Sequence, residues 1–193
     1  MAEERSRSSS ARRKLGWEDY QAFPEEGTRY EILDGKLAVT PTPFILHQRV
    51  SRNLELLLYN HISAYNLGEV LNAPVTVVLD EHTILEPDLV FVSTERAHLI
   101  GEKAIAGAPD LVIEILSPST ARRDRTVKLR LYGRFGVPHY WIVDPSAREL
   151  FAFERTPSSR AFGPARVLRG NEAVEMSVPK GFRLELGKVW PAR

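Results

Sequence analysis

The chain has no cysteine, so disulfides, thiolate zinc sites and a cysteine nucleophile are excluded from the start. It lacks an excess of charge of one sign. Twenty-six Lys and Arg stand against 25 Asp and Glu, for a net charge of +1, so any nucleic-acid surface has to be a local patch. It also lacks any apolar run near the roughly 20 residues that a membrane helix needs. No secretory signal is legible, and a cytoplasmic, membrane-free protein is the expectation. A length of 193 residues with 43% hydrophobic content suits one globular domain with a real core. Residues 1–14, MAEERSRSSSARRK, have almost no apolar side chains and are expected to be a disordered basic tail before a single domain over residues 15–193.

What is present reads as alternating elements. Trp17 to Phe23 looks like a short helix, and Arg29 to Thr40 like a hairpin turning at Asp34-Gly35. Ile45 to Tyr65 carries Leu46, Val50, Leu54, Leu57, Leu58, His61 and Ile62 at helical steps, with Gly68 expected to end the helix. Glu69 to Leu79 reads as a strand bent by Pro74, and Ile84 to Val92 as the next strand. Leu111 to Leu116 is the most apolar run and reads as a buried central strand. Ser119 or Thr120 is expected to cap a helix running to Phe135, before a strand from His139 to Val143. Glu149 to Glu154 and Ala173 to Val178 look like hairpin strands joined by a flexible loop, and Phe182 to Leu186 like a last strand. The core order, helix-strand-strand-strand-helix-strand, implies an α/β domain around a mixed sheet, with a parallel crossover and added β-hairpins.

Glu114 sits inside the most apolar run, where an ionised carboxylate is costly unless a cation pairs with it. Asp88 opens the Leu89-Val90-Phe91-Val92 run. Two acids on neighbouring buried strands are what a divalent-metal site requires. Asp124, Lys128 and Tyr132 are four residues apart on the next helix and so share a face, beside the apolar Val127, Leu131 and Phe135. That places Lys128 and Tyr132 where their polar tips can turn toward Glu114. Mg²⁺ on one or two carboxylates activates a water and neutralises phosphate charge, and a nearby lysine orients the water or stabilises developing charge. These residue types are the ones that phosphodiester hydrolysis needs. Arg123, Arg130 and Arg134 lie on one side of the same helix and could contact backbone phosphates. His47, which opens the long helix, is a candidate accessory group.

The stretches Tyr30-Glu31-Ile32-Leu33-Asp34-Gly35, His47-Gln48, Glu86-Pro87-Asp88-Leu89-Val90, Pro109 to Thr120, Asp124 with Lys128, and Gly136 to Asp144 together resemble the putative restriction endonuclease family of the PD-(D/E)XK nuclease superfamily. The family was long catalogued as a domain of unknown function, and the resemblance covers about two thirds of the chain, Tyr30 to about Phe153. It implies a restriction-endonuclease-like core, a Mg²⁺-dependent endonuclease (Mn²⁺ able to substitute), DNA as partner and a homodimer, since duplex cutting needs two sites. By the resemblance Asp88 is the first metal-binding acid and Glu114 the second. The superfamily pattern wants lysine two residues after the second acid, and here that residue is Leu116. Lys128 is the substitute, and Tyr132 resembles the tyrosine of a related helix motif. An early acid completes such sites, with Glu31 the candidate and Glu55 its rival. The departure at Leu116 keeps a second class open, a catalytically inactive nucleic-acid-binding or homo-oligomeric interaction module on the same fold.

Overall fold

The computed structural model describes residues 13–24, 28–156 and 158–191. Of the expected tail, residues 1–12 lie outside the described residues, while Arg13 and Lys14 form ion pairs with Asp19 and Asp34.

Two mixed sheets, a separate two-stranded ribbon and two main helical segments make up the described fold. Helix α1 (Trp17–Gln21) precedes the hairpin β1 (Arg29–Leu33) and β2 (Lys36–Thr40). Its turn residues Asp34 and Gly35 both have positive φ, at 55° and 82°, as a two-residue hairpin turn demands. Helix α2 (Ile45–Tyr65) has the bounds its periodicity predicts. Its buried stripe, Val50, Leu54, Leu58 and Ile62, packs on one face of the larger sheet against Phe91, Ile113, Ile115, Trp141 and Val143. Each such fully buried aliphatic side chain contributes about 1.5–3 kcal/mol.

The larger sheet runs β11-β10-β9-β8-β6-β3, where β3 is Gly68–Asn72, β6 Leu89–Ser93, β8 Leu111–Ile115, β9 His139–Asp144, β10 Glu149–Glu154 and β11 Arg166–Arg169. Strands β8 and β9 are parallel, and β6 pairs antiparallel with β8, Leu89 opposite Ile113. Between β8 and β9 the chain makes α3 (Ala121–Arg123), a wider π turn (Asp124–Lys128) and α4 (Leu129–Arg134). Leu131 and Tyr132 of α4 cover the other face of the sheet against Val90, Val92, Val112, Tyr140 and Ile142. Side chains alternate across a strand. Glu114 therefore points to the α4 face, together with Val112 and Leu116, while Ile113 and Ile115 point toward α2.

Several elements differ from the sequence expectation. The long helix ends at Asn66, which takes the left-handed cap conformation (φ 51°), and Gly68 begins the next strand instead. The runs read as single strands each divide between sheets. Strand β3 belongs to the larger sheet, but β4 (Val77–Asp80) belongs to a second sheet ordered β2-β1-β5-β4-β7. Likewise β5 (Thr83–Leu85) lies in the second sheet and β6 in the larger one. The breaks fall at Pro74 and Pro87, which have no N–H to give a ladder. The second sheet is completed by β7 (Ile105–Ala106), which follows a 3₁₀ turn at Thr94–Leu99. Strand β10 pairs with β11 rather than with the 173–178 run; that run holds β12 (Ala173–Glu175), which pairs with β13 (Arg183–Glu185). Thr120 takes the N-cap position without a side-chain capping bond.

Gly68 carries a steric demand that the sequence hides. Its φ is 142°, and a Cβ there would strike the Val92 carbonyl oxygen and lie 2.8 Å from Ser93 Cα, both backbone. Gly170 also has positive φ (57°) but open space around it. Gly68→Ala is therefore expected to cost about 3 kcal/mol, and Gly170→Ala only about 1 kcal/mol, in urea denaturation. Equal losses at the two positions would contradict the close approach of β3 and β6.

Candidate active site

The joint between the two sheets gathers the charged residues. Segment 86–88 carries the chain from β5 to β6, so Asp88 lies at the crossing point. Continuing the β6–β8 register by one residue sets Asp88 opposite Glu114. Asp88 is almost fully buried. Its Oδ2 accepts the Ile115 N–H at 2.8 Å and faces His47 Nε2 of α2 at 3.1 Å, while Oδ1 accepts from Arg29 Nη1 at 3.0 Å. Burial alone would raise its pKa, but the His47 contact, the Arg29 charge and the Ile115 amide hold it down to about 2.

Lys128 anchors the other half of the site. Its Nζ lies 2.7 Å from Glu31 Oε1, 2.8 Å from Glu114 Oε1 and 3.6 Å from Asp124 Oδ1, with its side chain 3% exposed. Burial opposes its charge, yet Glu114, Glu31 and Asp124 together raise its pKa, so the ammonium is retained. Glu114 Oε1 also accepts the Tyr132 hydroxyl at 2.9 Å. Burial, with Asp124, Asp88 and Glu31 close by, pushes the Glu114 carboxyl above the usual range against the pull of Lys128. Burial likewise raises Asp124. The shared face proposed for Asp124, Lys128 and Tyr132 is real: all three are buried, across the π turn.

Glu31 is in the cluster. Its Oε1 also accepts the Glu86 N–H at 3.1 Å, and its Oε2 lies 3.3 Å from Arg123 Nη2. Glu55, the rival, sits half-buried on α2 and makes no ion pair with these groups among the described residues. The three arginines part company. Arg123 turns inward to Glu31 and Thr40, Arg134 lies 3.6 Å from Asp34, and Arg130 is exposed. Leu116 is 8% exposed and packs in the apolar core under α4. Two residues escaped the sequence reading. Arg29 joins Asp88 to Glu86, and Glu86 accepts the Tyr20 hydroxyl at 2.5 Å. The signal for Arg29 was a cation at a strand start, two residues before Glu31.

Asp88, Glu114, His47, Arg29, Arg123 and Lys128 line a cavity of about 20 Å³, room for one water or one bare ion. Among the described residues no three His, Asp or Glu side chains are arranged as a ready metal-ligand set. The donor chemistry nevertheless suits a hard cation. Two carboxylates, Asp88 and Glu114, line the same cavity, and the buried Glu31 Oε2 and Asp124 Oδ1 have no hydrogen-bond donor among the described residues. Mg²⁺ usually takes one or two protein carboxylates and fills its octahedron with water and phosphate oxygens.

Comparison with known proteins bears on the family and the fold. A family model, Uma2, described as putative restriction endonuclease, matches residues 17–187. The chain is similar in structure to a protein of Anabaena variabilis ATCC 29413 described as a putative nuclease belonging to DUF820. The TM-score is 0.74 at 18% identity, covering 91% of this chain and 97% of that one, and the likeness bears on the fold. No curated protein matches the chain.

Two outcomes follow from the charges. The folded pKa of Asp88 lies below its unfolded value near 3.8, so its contribution is complete above pH 4 and is lost as pH falls toward 2. That contribution is about 2–3 kcal/mol. Urea denaturation from pH 5 to pH 2 is expected to show this extra loss in the wild type and not in Asp88→Asn; parallel curves would contradict it. Lys128→Met leaves Glu31, Glu114 and Asp124 without their common cation and is expected to destabilise by about 3–5 kcal/mol. Adding Glu31→Gln and Asp124→Asn is expected to restore part of that loss, and a triple variant no more stable than Lys128→Met would contradict the account.

Proposed function

The chain belongs to the Uma2 family, and from that premise we propose that it is a divalent-metal-dependent endonuclease that hydrolyses DNA phosphodiester bonds. The single observation that carries this is that Asp88, at the entry to β6, and Glu114, on β8, line one small cavity together with Lys128. In this reading residues 15–193 are one nuclease-like domain, with Asp88 and Glu114 as the metal-holding acids.

Mg²⁺, when bound, supplies a water of lowered pKa and neutralises charge on the phosphoryl oxygens. The rest belongs to the chain. Lys128 fixes the Glu114 carboxylate at 2.8 Å and brings a permanent positive charge to the place where phosphoryl charge develops. Glu31 and Asp124 hold Lys128 and are positioning residues, as is Tyr132 through its bond to Glu114 Oε1. His47 and Arg29 orient Asp88. The placement of Lys128 beside Glu114, with Leu116 packed in the core, supports the reading of Lys128 as the substitute for the lysine expected at position 116. Cutting both strands of a duplex requires two sites, so a homodimer is part of the reading. Phe44 and Ile45 at the start of α2 are 66% and 73% exposed and offer apolar surface for it.

A second reading, a DNA-binding module without hydrolysis, is favoured by one observation: the oxygens of Asp88 are already bound by Arg29, His47 and Ile115. Plasmid incubated with Mg²⁺ or Mn²⁺ decides between them. The wild type is expected to nick or linearise it, and Asp88→Asn and Glu114→Gln are each expected to lower the rate by about 100-fold or more. Cleavage that survives both substitutions overturns this site, and retention of DNA with no cleavage in either metal supports the second reading.

A further inference from the structure

A second, larger cavity begins where the acidic one ends. It is a groove of about 660 Å³ that shares Arg29 and Pro43 with the carboxylate cavity. Four aromatic side chains line it, Trp17, Tyr20, Phe23 and Tyr30, each half-buried with surface still open. They form a continuous ladder. Trp17 stacks on Tyr20 (centroids 5.6 Å, planes 14° apart), Tyr20 meets Phe23 edge-on, and Phe23 lies 4.9 Å from Tyr30. The ladder is held from behind, because the Tyr20 hydroxyl donates to Glu86 Oε1 and pairs with Thr76 Oγ1 at 3.1 Å.

Among the described residues that line the groove, cations outnumber acids by two to one. Arg29 stands at its inner end and Lys103 on its wall. Glu86 is the one acid among the described lining residues, and it is already engaged by Tyr20 and by Arg29 at 3.5 Å. Pro43 and Gln48 continue the groove into a shallower one carrying Arg49 and Arg52, both exposed.

Aromatic rings with cations alongside are the features that hold unpaired strands, since every base has a π face and every linkage a phosphate. The dimensions choose the form of the substrate. A cavity of 660 Å³ has the size of a small-molecule pocket, which admits one or two flat bases and not a double helix. We propose that this groove seats an unpaired base of DNA next to the bond being cut, so that the substrate is a single-stranded or locally unpaired DNA strand. The proposal rests on the nuclease reading above and adds the form of its substrate. The phosphate beside the seated base falls at Arg29, the residue common to groove and acidic cavity.

Tryptophan fluorescence tests it directly. Trp141 and Trp190 are 1% and 6% exposed, so quenching by a stacked base reports on Trp17. In EDTA, a short oligothymidylate is expected to quench the wild type and not Trp17→Phe in the same tryptophan band. Trp17→Ala, and Tyr30→Ala as an independent variant on the hairpin, are each expected to weaken single-strand binding by about 5- to 100-fold. Both are expected to leave the binding of a blunt duplex unchanged. A duplex bound as tightly as the single strand, or single-strand affinity unmoved in both variants, overturns the groove assignment. Cleavage assayed in parallel separates the two readings. If DNA is cut and the groove variants cut single strands as the wild type does, only the groove proposal fails. If neither form of DNA is bound or cut, the nuclease reading fails and the groove proposal with it.

Discussion

One buried ammonium holds the molecule's charged centre together. Lys128 reaches Glu31 of β1, Glu114 of β8 and Asp124 of its own helical segment, and so ties the smaller sheet, the larger sheet and the α3–α4 segment at one point. An ammonium has three protons to donate, and here three carboxylates surround it. A charge removed from water is tolerated only when it is paired and hydrogen-bonded, which fixes the geometry of each partner. Three acids against one lysine leave a surplus of negative charge. Arg123 approaches Glu31 and the Tyr132 hydroxyl serves Glu114, yet a buried oxygen of Glu31 and one of Asp124 still lack hydrogen-bond donors among the described residues. Such a place favours a further cation.

Asp88 completes the arrangement by a different route. It leaves the second sheet at the residue after Pro87 and is fixed by a helix (His47), a hairpin (Arg29) and a strand amide (Ile115). No single element positions the site; it exists only when both sheets and both helical segments have docked. The same junction adjoins the aromatic groove, with Arg29 and Pro43 lining both cavities.

Much of this was legible in the chain because the signals are local. The apolar stripe of Ile45 to Tyr65 and the Asp34-Gly35 turn gave those elements their observed bounds. A carboxylate inside Leu111 to Leu116 needs a polar partner, and four-residue spacing brought Lys128 and Tyr132 to it. What was not legible depends on the three-dimensional path. Pro74 and Pro87 do more than bend strands; they move the chain from one sheet to the other, and nothing in the apolar pattern of residues 69–79 or 84–92 marks that change. Strand β11 is a short four-residue run recruited by its pairing with β10, so the more apolar 173–178 run drew the assignment instead. The π turn at Asp124–Lys128 leaves the heptad spacing of Arg123 and Arg130 intact in sequence while turning one toward Glu31 and the other to solvent. Arg29 and Glu86 acquire meaning only through partners 59 and 66 residues away, Asp88 and Tyr20.

The central claim is that Asp88 and Glu114 jointly grip a divalent ion. A crystal of the protein soaked in Mn²⁺ and measured at the manganese absorption edge tests it most directly. The account predicts one anomalous peak per chain within direct bonding distance of carboxylate oxygens of both residues. A peak bound elsewhere, or density between the two acids that remains free of manganese at saturating concentration, would contradict it.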